Sequence, residues 1–355
     1  SFGLIGVATF ISSIVMMFEL GIGTILVSKV SSATTEKYQS KYILASFYIY
    51  FIGFILLFIV SFLGFDLISS YIFRGVEGAG SLFIVTLVTA AIRMFSIPFQ
   101  SLIVARKFLY RISFERIIHN SLKFLGGYFL LTNGSTILEY MIYQLVVTIF
   151  SLALLFYWSG YVQLEKAKVN EAKGSVKKLI VSGGIVSYSM VIWTLYTQAD
   201  KFVFVANMSL DEYGYFMLLS SLVAAAISIT APMMQIIVPV LNRSVCYKKD
   251  LIKYYSLFCL LGFAGMTFVM TNSSALIPFW LTNKLASVWI GNYLEDYIFY
   301  IGFTVLLSFP YFVILTKEKL KYHAHLHTFI LFALVPTVLL IAFNYGISGV
   351  ALYWK

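Results

Sequence analysis

Long uninterrupted runs of apolar residues dominate the chain, and each is long enough to cross a lipid bilayer as a helix. A spanning helix needs about twenty mostly apolar residues. Complete runs of that kind lie near residues 2–27, 42–63, 80–105, 114–132, 136–160, 179–206, 214–241, 254–271, 293–315 and 326–344. An eleventh run begins near Ile347. Hydrophobic residues make up 60% of the sequence and charged residues 11%, which excludes an ordinary soluble domain. The sequence therefore predicts an all-α, polytopic membrane helix bundle with ten complete spans and part of an eleventh.

Basic residues are concentrated in alternate loops between these spans. The loops after spans 1, 3, 5, 7 and 9 hold most of the loop lysines and arginines, whereas the other loops hold Arg74 and Lys284 among several acids. Because cytoplasmic loops of membrane proteins are enriched in Lys and Arg, the first set is predicted to be cytoplasmic. The net charge of +10 then reflects topology, and we expect no nucleic-acid partner. The longest loop of the other set, roughly 272–292, is predicted to lie along the membrane interface.

The longest basic loop divides the chain into two predicted half-bundles. This loop, residues 161–178, carries five lysines. Residues 1–160 are predicted to form an N-terminal half without its first helix, and residues 179–355 a C-terminal half that is truncated in its last helix. The sequence begins without Met and stops inside a hydrophobic run, so we expect a fragment of a longer protein.

Matching segments at a shift of 211–212 residues indicate an internal repeat. Phe2-Gly3 corresponds to Tyr213-Gly214, Ser96-Ile97-Pro98-Phe99 corresponds to Ser308-Phe309-Pro310-Tyr311, and Gly134 corresponds to Gly346. A proline inside a helix removes a hydrogen bond and bends the helix, so Pro98 and Pro310 predict matching kinks. Since the shift covers six spans, an even number, the two six-helix halves are predicted to have the same orientation. Such a parallel, pseudo-two-fold repeat is found in some secondary transporters.

Charged residues lie well inside the predicted spans at Glu19, Arg93, Lys123, Asp200 and Lys201. Intramembrane charge normally faces a bundle interior or a wet cavity. Helical spacing places Gln100 on the face of Arg93 and Asn120 on the stripe of Lys123. We interpret one set as the lining of a cavity for an anionic substrate: Arg93, Lys123, Lys201, Gln100 and Asn120. Glu19 and Asp200 are interpreted as ion-coupling or gating groups. Two alternatives stay open, namely structural ion pairs and a Lys201 side chain that reaches the outer interface.

Motifs for metal binding or covalent catalysis do not occur in the sequence. His323, His325 and His327 flank a basic loop, but only His323 and His327 would share a helix face. A zinc site needs three or four converging ligands, so the spacing favours interfacial histidines. The sequence has no Walker loop and no Gly-x-Ser-x-Gly elbow. We therefore predict no metal, no cofactor and no enzymatic activity.

Several segments resemble, in the same order, helices of bacterial polysaccharide flippases. Phe18–Ser32 (FELGIGTILVSKVSS) resembles their second helix, and Asp200-Lys201 with Ser209–Leu222 (SLDEYGYFMLLSSL) and Pro232–Arg243 (PMMQIIVPVLNR) resembles their seventh and eighth helices. Leu276–Tyr293 resembles the loop before their tenth helix. Glu19 stands where that family usually has Asp. The chain thus resembles the Wzx-type O-antigen, or lipid-linked oligosaccharide, flippases of the MOP superfamily.

The resemblance implies a MATE-like bundle in the bacterial cytoplasmic (inner) membrane that flips a lipid-linked glycan. The implied substrate is an undecaprenyl-pyrophosphate-linked oligosaccharide, moved from the cytoplasmic to the outer leaflet by alternating access for cell-surface polysaccharide biosynthesis. Coupling to H⁺ or Na⁺ is implied as well, with a polysaccharide polymerase and a chain-length regulator as partners.

Two other functions stay open from the sequence. A cation-coupled multidrug antiporter of the same superfamily should have acids dominating its cavity. A membrane-embedded glycan polymerase or glycosyltransferase should carry a large outer loop with catalytic residues.

Overall fold

The structure, a computed structural model, describes residues 2–16, 22–31, 33, 35–63, 65, 78–161, 169–228, 237, 247–316 and 320–354. Every regular element in these ranges is a helix. In chain order the helices are α1 (Phe2–Met16), α2 (Ile22–Ser31), α3 (Glu36–Leu63), α4 (Ala79–Ala105), α5 (Leu109–Ser121), α6 (Gly127–Thr132), α7 (Ile137–Ser159), α8 (Val169–Asn207), α9 (Leu210–Ser228), α10 (Tyr247–Trp280), α11 (Lys284–Thr316), α12 (Leu320–Phe329) and α13 (Val335–Trp354). Two π-helical segments, π1 (Leu122–Gly126) and π2 (Ile330–Leu334), join α5 to α6 and α12 to α13.

Each predicted span falls on one or more of these helices. Within the described ranges, five helical stretches are individually long and apolar enough to cross a membrane: Glu36–Leu63, Ala79–Ala105, Ile137–Ser159, Lys248–Trp280 and His325–Tyr353. Large apolar side chains on them point outward; Phe62 is 74% exposed and Phe279 is 90% exposed. Helices whose backbone groups are satisfied internally and whose surfaces are apolar suit a lipid solvent. The chain is therefore a multi-pass, all-α membrane protein, as the sequence predicts.

The prediction of a loop at 272–292 is wrong, because helix continues through most of it, while its place at the membrane interface remains a prediction. α10 runs to Trp280 and α11 begins at Lys284, so three residues connect them. The polar side chains that suggest a loop bond back to their own helix: Thr271 donates to the Thr267 carbonyl and Asn272 to the Phe268 carbonyl, both at 2.9 Å. Asn283 starts α11, since its side-chain oxygen accepts hydrogen bonds from the backbone N–H groups of Leu285 and Ala286.

The chain forms two compact units. The N-terminal unit comprises Val7–Leu195, and the C-terminal unit comprises Ser1–Gly6 with Tyr196–Lys355. α8 begins at Val169, so residues 169–178 of the predicted linker are helical, while residues 162–168 lie outside the described ranges. The domain boundaries drawn from the sequence remain a prediction.

The same arrangement of helices occurs in each unit. In the N-terminal unit α4 packs against α2, α3 and α7; in the C-terminal unit α11 packs against α9, α10 and α13. The sequence repeat pairs α3 with α10 and α4 with α11, and it pairs α1 with α9. Gly134 and Gly346 both have positive φ, 83° and 59°, a conformation that glycine adopts without steric cost. Gly346 thereby interrupts α13, at the point where the eleventh span is predicted to begin.

The matched prolines lie in the central helix of each unit. Pro98 is inside α4 and position 310 is inside α11, although the side chain of Pro310 lies outside the described part. The kinks themselves remain a prediction.

One end of the N-terminal unit is held together by two arginines. Phe99, Ile103, Ile112 and Leu155 form a buried cluster between α4, α5 and α7. Next to it, Arg106 donates to the Ser159 carbonyl at 3.0 Å and Arg111 donates to the Trp158 carbonyl at 2.6 Å. Both bonds satisfy carbonyls at the C-terminal end of α7, where cations are favourable. The end of α4, the start of α5 and the end of α7 are therefore level with one another.

Candidate functional site

Arg93 begins a line of polar side chains along α4. The Ser96 hydroxyl donates to the Arg93 carbonyl at 2.6 Å, and the Gln100 amide donates to the Ser96 hydroxyl at 3.1 Å. Arg93, Ser96 and Gln100 thus lie on one side of the helix, as their spacing predicts. The Arg93 side chain is exposed and Gln100 is half-buried. No hydrogen bond or ion pair joins the Arg93 guanidinium to any residue in the described ranges.

Lys123 lies in π1, where the helix is locally widened. The Tyr143 hydroxyl of α7 donates to the Leu122 carbonyl at 2.7 Å, which ties π1 to α7. Gly126 and Gly127 leave room for this contact, because a Cβ at Gly126 would overlap the Tyr143 hydroxyl and one at Gly127 would crowd the Tyr140 ring. Short π-helical insertions are frequent at functional sites. The Lys123 ammonium lies 5.7 Å from the Phe124 ring centroid and has no carboxylate partner among the described residues.

The two cations lie at similar depth and interact electrostatically. At 1.5 Å per residue, Arg93 is about 18 Å from the end of α4 and Lys123 about 21 Å from the start of α5. His119, which is buried, interacts electrostatically with both of them. Like charges repel each other. An anion placed between Arg93 and Lys123 would relieve that repulsion, so this cluster is chemically suited to bind an anion.

Glu115 joins the cluster, and sequence reasoning missed it. Its side chain is 5% exposed, accepts a hydrogen bond from the Ser151 hydroxyl of α7, and interacts electrostatically with Arg93. The buried face of α5 consists of Ile112, Glu115 and His119. Spacing by four residues from Glu115 through His119 to Lys123 is the signal that could have identified it.

Asn120 and Arg116 differ from that buried face. Both are exposed, one residue further along α5 than His119 and Glu115. The predicted stripe, which comprises Arg116, His119, Asn120, Lys123 and Gly127, therefore shares His119 with the buried face of α5 and departs from it at Arg116 and Asn120. A substrate-lining role for Asn120 remains a prediction.

Asp200 and Lys201 form an ion pair in the C-terminal unit. The Lys201 ammonium lies 3.3 Å from an Asp200 carboxylate oxygen, with the two side chains 12% and 3% exposed. The same ammonium donates to the Thr197 carbonyl at 2.8 Å and lies 5.6 Å from the Phe216 ring centroid. Lys201 therefore points back along α8, away from the nearer helix end. Of the alternatives left open by the sequence, this arrangement favours the structural ion pair.

Tyrosines surround the Asp200 carboxylate. Tyr213, Tyr297 and Tyr300 all interact with it electrostatically. The hydroxyls of Tyr213 and Tyr297 are buried and have no hydrogen-bond partner within the described structure. Buried polar groups are normally satisfied, so these hydroxyls are available donors beside a buried carboxylate.

The remaining features are Glu19, the possible metal ligands and one apolar cavity. Glu19 lies outside the described residues. Within the described ranges, no three His, Cys, Asp or Glu side chains converge in a way that could hold a metal ion. α9, α10 and α11 enclose a cavity of about 510 Å³ lined by apolar residues such as Leu222, Met266 and Val305. That lining offers no charge to an anion.

Comparison with known proteins identifies the family. No curated protein matches the sequence. Residues 1–245 match the family model described as polysaccharide biosynthesis protein. The chain belongs to this family. This confirms the family expected from the flippase-like segments.

Solved structures similar to this family member are transporters. An inward-facing multidrug resistance MATE family transporter of the MOP superfamily has a TM-score of 0.73 at 14% identity, covering 99% of this chain and 85% of its own. A mutant of the Vibrio cholerae MATE transporter VcmN has a TM-score of 0.64 at 14% identity, covering 99% and 89%. VcmN in its bent form has 0.61 at 14% identity, covering 99% and 83%. The chain therefore has the fold of these MATE transporters.

Proposed function

We propose that this protein is a flippase for an undecaprenyl-pyrophosphate-linked oligosaccharide. It moves the substrate from the cytoplasmic to the outer leaflet by alternating access, for cell-surface polysaccharide biosynthesis. The observation that carries the proposal is the pair of cations, Arg93 and Lys123, which lie at similar depth in a member of a polysaccharide biosynthesis family. Neither has an ion-pair partner among the described residues.

The pyrophosphate is the part of the substrate that suits this pair. A guanidinium group binds phosphate oxygens through two parallel hydrogen bonds, and an ammonium group acts as a flexible point charge. The two cations repel each other, and an incoming pyrophosphate offsets that repulsion. Gln100, on the same side of α4 as Arg93, can donate an amide N–H to the substrate.

Complementation of a flippase-deficient strain by the full-length protein tests this mechanism. The double variant Arg93→Ala, Lys123→Ala should lose glycan export. Arg116→Ala is the matched control, because it removes an exposed cation from α5 and should leave export intact. Normal export by the double variant, at a protein level equal to the parent, would refute the role of these cations.

Asp200 and Glu19 are proposed to couple transport to H⁺ or Na⁺ or to gate it. Asp200 supports this role because it is a buried carboxylate with tyrosine hydroxyls around it. Asp200→Asn should abolish the dependence of export on the ion gradient while the protein stays in the membrane. Unchanged dependence would assign coupling elsewhere.

The remaining proposals concern membrane and sidedness. We propose that the protein lies in the bacterial inner membrane with the loops after spans 1, 3, 5, 7 and 9 in the cytoplasm. Labelling of single cysteines introduced at Lys107 and Lys284 should show opposite accessibility. Drug resistance conferred by the chain, without glycan export, would instead identify a multidrug antiporter.

A further inference from the structure

Glu115 is a buried acid that accepts a hydrogen bond from Ser151 and interacts electrostatically with Arg93, and the proposed mechanism does not use it. The charged or titratable groups that act on this cluster are Arg93 on α4, His119 on α5 and Lys123 in π1. From α7 the contact is the uncharged Ser151, whose hydroxyl donates to the carboxylate. Glu115 therefore has a fixed position and a net positive surrounding.

Glu115 also lies between the cations and one end of the unit. It is about 9 Å from the start of α5, and Ser151 is about 12 Å from the end of α7, whereas Arg93 and Lys123 are about twice as deep. Arg106 and Arg111 hold those helix ends level. An anion that comes from this end meets the field of Glu115 before it reaches the two cations.

We propose that Glu115 is a specificity-determining residue, because its carboxylate competes with the bound anion for the positive charge of Arg93. Its negative charge offsets part of the attraction exerted by Arg93 and repels an anion bound there. This inference rests on the proposed anion site. Because the repulsion is proportional to the charge of the ligand, Glu115 lowers the affinity for highly charged anions more than the affinity for weakly charged ones.

Such a competitor has a clear use in a transport protein. A site with two cations and no counter-charge would hold a pyrophosphate tightly and release it slowly. Transport requires that binding be strong enough for entry and weak enough for departure. The Glu115 carboxylate accepts its hydrogen bond from Ser151 and forms no ion pair with Arg93 in the described ranges, so the guanidinium stays open to the ligand.

The test compares two anions on the purified full-length protein. Titration calorimetry measures the affinity for inorganic pyrophosphate and for inorganic phosphate, in the parent and in Glu115→Gln. The variant should bind pyrophosphate about tenfold more tightly and phosphate only about threefold more tightly, because the removed repulsion is proportional to ligand charge. Glu295→Gln is the matched control, since it makes the same chemical change at an exposed position and should change neither affinity.

Each outcome of these titrations supports or refutes the role of Glu115. Equal gains for both anions, or no gain for either, would overturn the role of Glu115 while leaving the anion site in place. A parent protein that binds neither anion would refute the anion site, and this inference with it. If Glu115→Gln does not fold, Glu115→Met takes its place, because it also removes the charge at similar volume and should give the same unequal gains.

Discussion

The π-helical segment at Lys123 is stabilised by one hydrogen bond from α7, and Tyr143→Phe removes it. The Tyr143 hydroxyl donates to the Leu122 carbonyl at 2.7 Å. Hydrogen bonds between helices in membrane proteins contribute about 0.6 kcal/mol on average and up to about 1.7 kcal/mol. We expect Tyr143→Phe to lower the free energy of unfolding by an amount in that range, as measured by denaturation in mixed micelles.

The free energy of this hydrogen bond also sets an upper bound on the loss of affinity at the proposed anion site. If the bond favours π1 over a regular α-helix, its removal lowers the population that presents Lys123 to the site. Apparent affinity falls by no more than that population does. A loss of about 0.6 kcal/mol corresponds to about threefold, and about 1.7 kcal/mol to about eighteenfold. Titration with inorganic pyrophosphate should therefore show a fall within these limits.

Two further variants test whether the Tyr143 hydrogen bond is responsible for these effects. Tyr157→Phe is the control, because Tyr157 lies on the same helix, is 79% exposed, and has a hydroxyl that bonds to none of the described residues. Gly126→Ala should match or exceed Tyr143→Phe, since its Cβ would displace the Tyr143 hydroxyl. Equal effects of Tyr143→Phe and Tyr157→Phe on stability, or a fall in affinity far above twentyfold, would refute the explanation.

Three other substitutions test the packing through shifts in the denaturation midpoint. Lys201→Met leaves the Asp200 carboxylate buried without its cation and should lower the free energy of unfolding by about 3–5 kcal/mol. The additional change Asp200→Asn should recover most of that stability. Failure to recover it would contradict the pairing. Gly346→Ala forces a side chain onto φ 59° and ψ −150° and should cost about 1–3 kcal/mol. Gly184→Ala, where a Cβ would meet nothing within 4 Å, should cost nothing, so equal effects would contradict backbone strain. Gly3→Ala would place a Cβ on the Leu210 carbonyl and should cost about 1–3 kcal/mol; a neutral result would show that α1 shifts freely there.

The helices were predictable because length and hydrophobicity alone determine a membrane span. A helix that satisfies its own backbone in lipid needs no particular partner, so each apolar run could be assigned without knowledge of its neighbours. The connection between α10 and α11 could not be assigned in this way. The predicted span ends at residue 271, but the helix continues to Trp280, and the side chains of Thr271 and Asn272 bond to carbonyls one turn earlier within it.

The site was predictable only in part, because its geometry depends on helix phase. Arg93 and Gln100 lie on a regular α-helix, so their spacing gave the correct face. On α5 the predicted stripe included His119 of the buried face, but it also included the exposed Asn120 and missed Glu115. π1 then adds a register change at Lys123, and only the adjacent pair Gly126-Gly127 hints at it. The pairing of Lys201 with Asp200 depends on rotamers that sequence spacing does not determine.

The shared arrangement of helices around α4 and α11 bears on how the chain evolved. The repeated helices of the two copies do not carry the same chemistry. At the shift of 212 residues, Arg93 corresponds to Val305 and Lys123 to Val335, and Val305 lines the apolar cavity. Identical subunits of a homodimer must change together at every such position. A single chain that carries both copies is free of that constraint, and at these two matched positions one copy is cationic while the other is apolar.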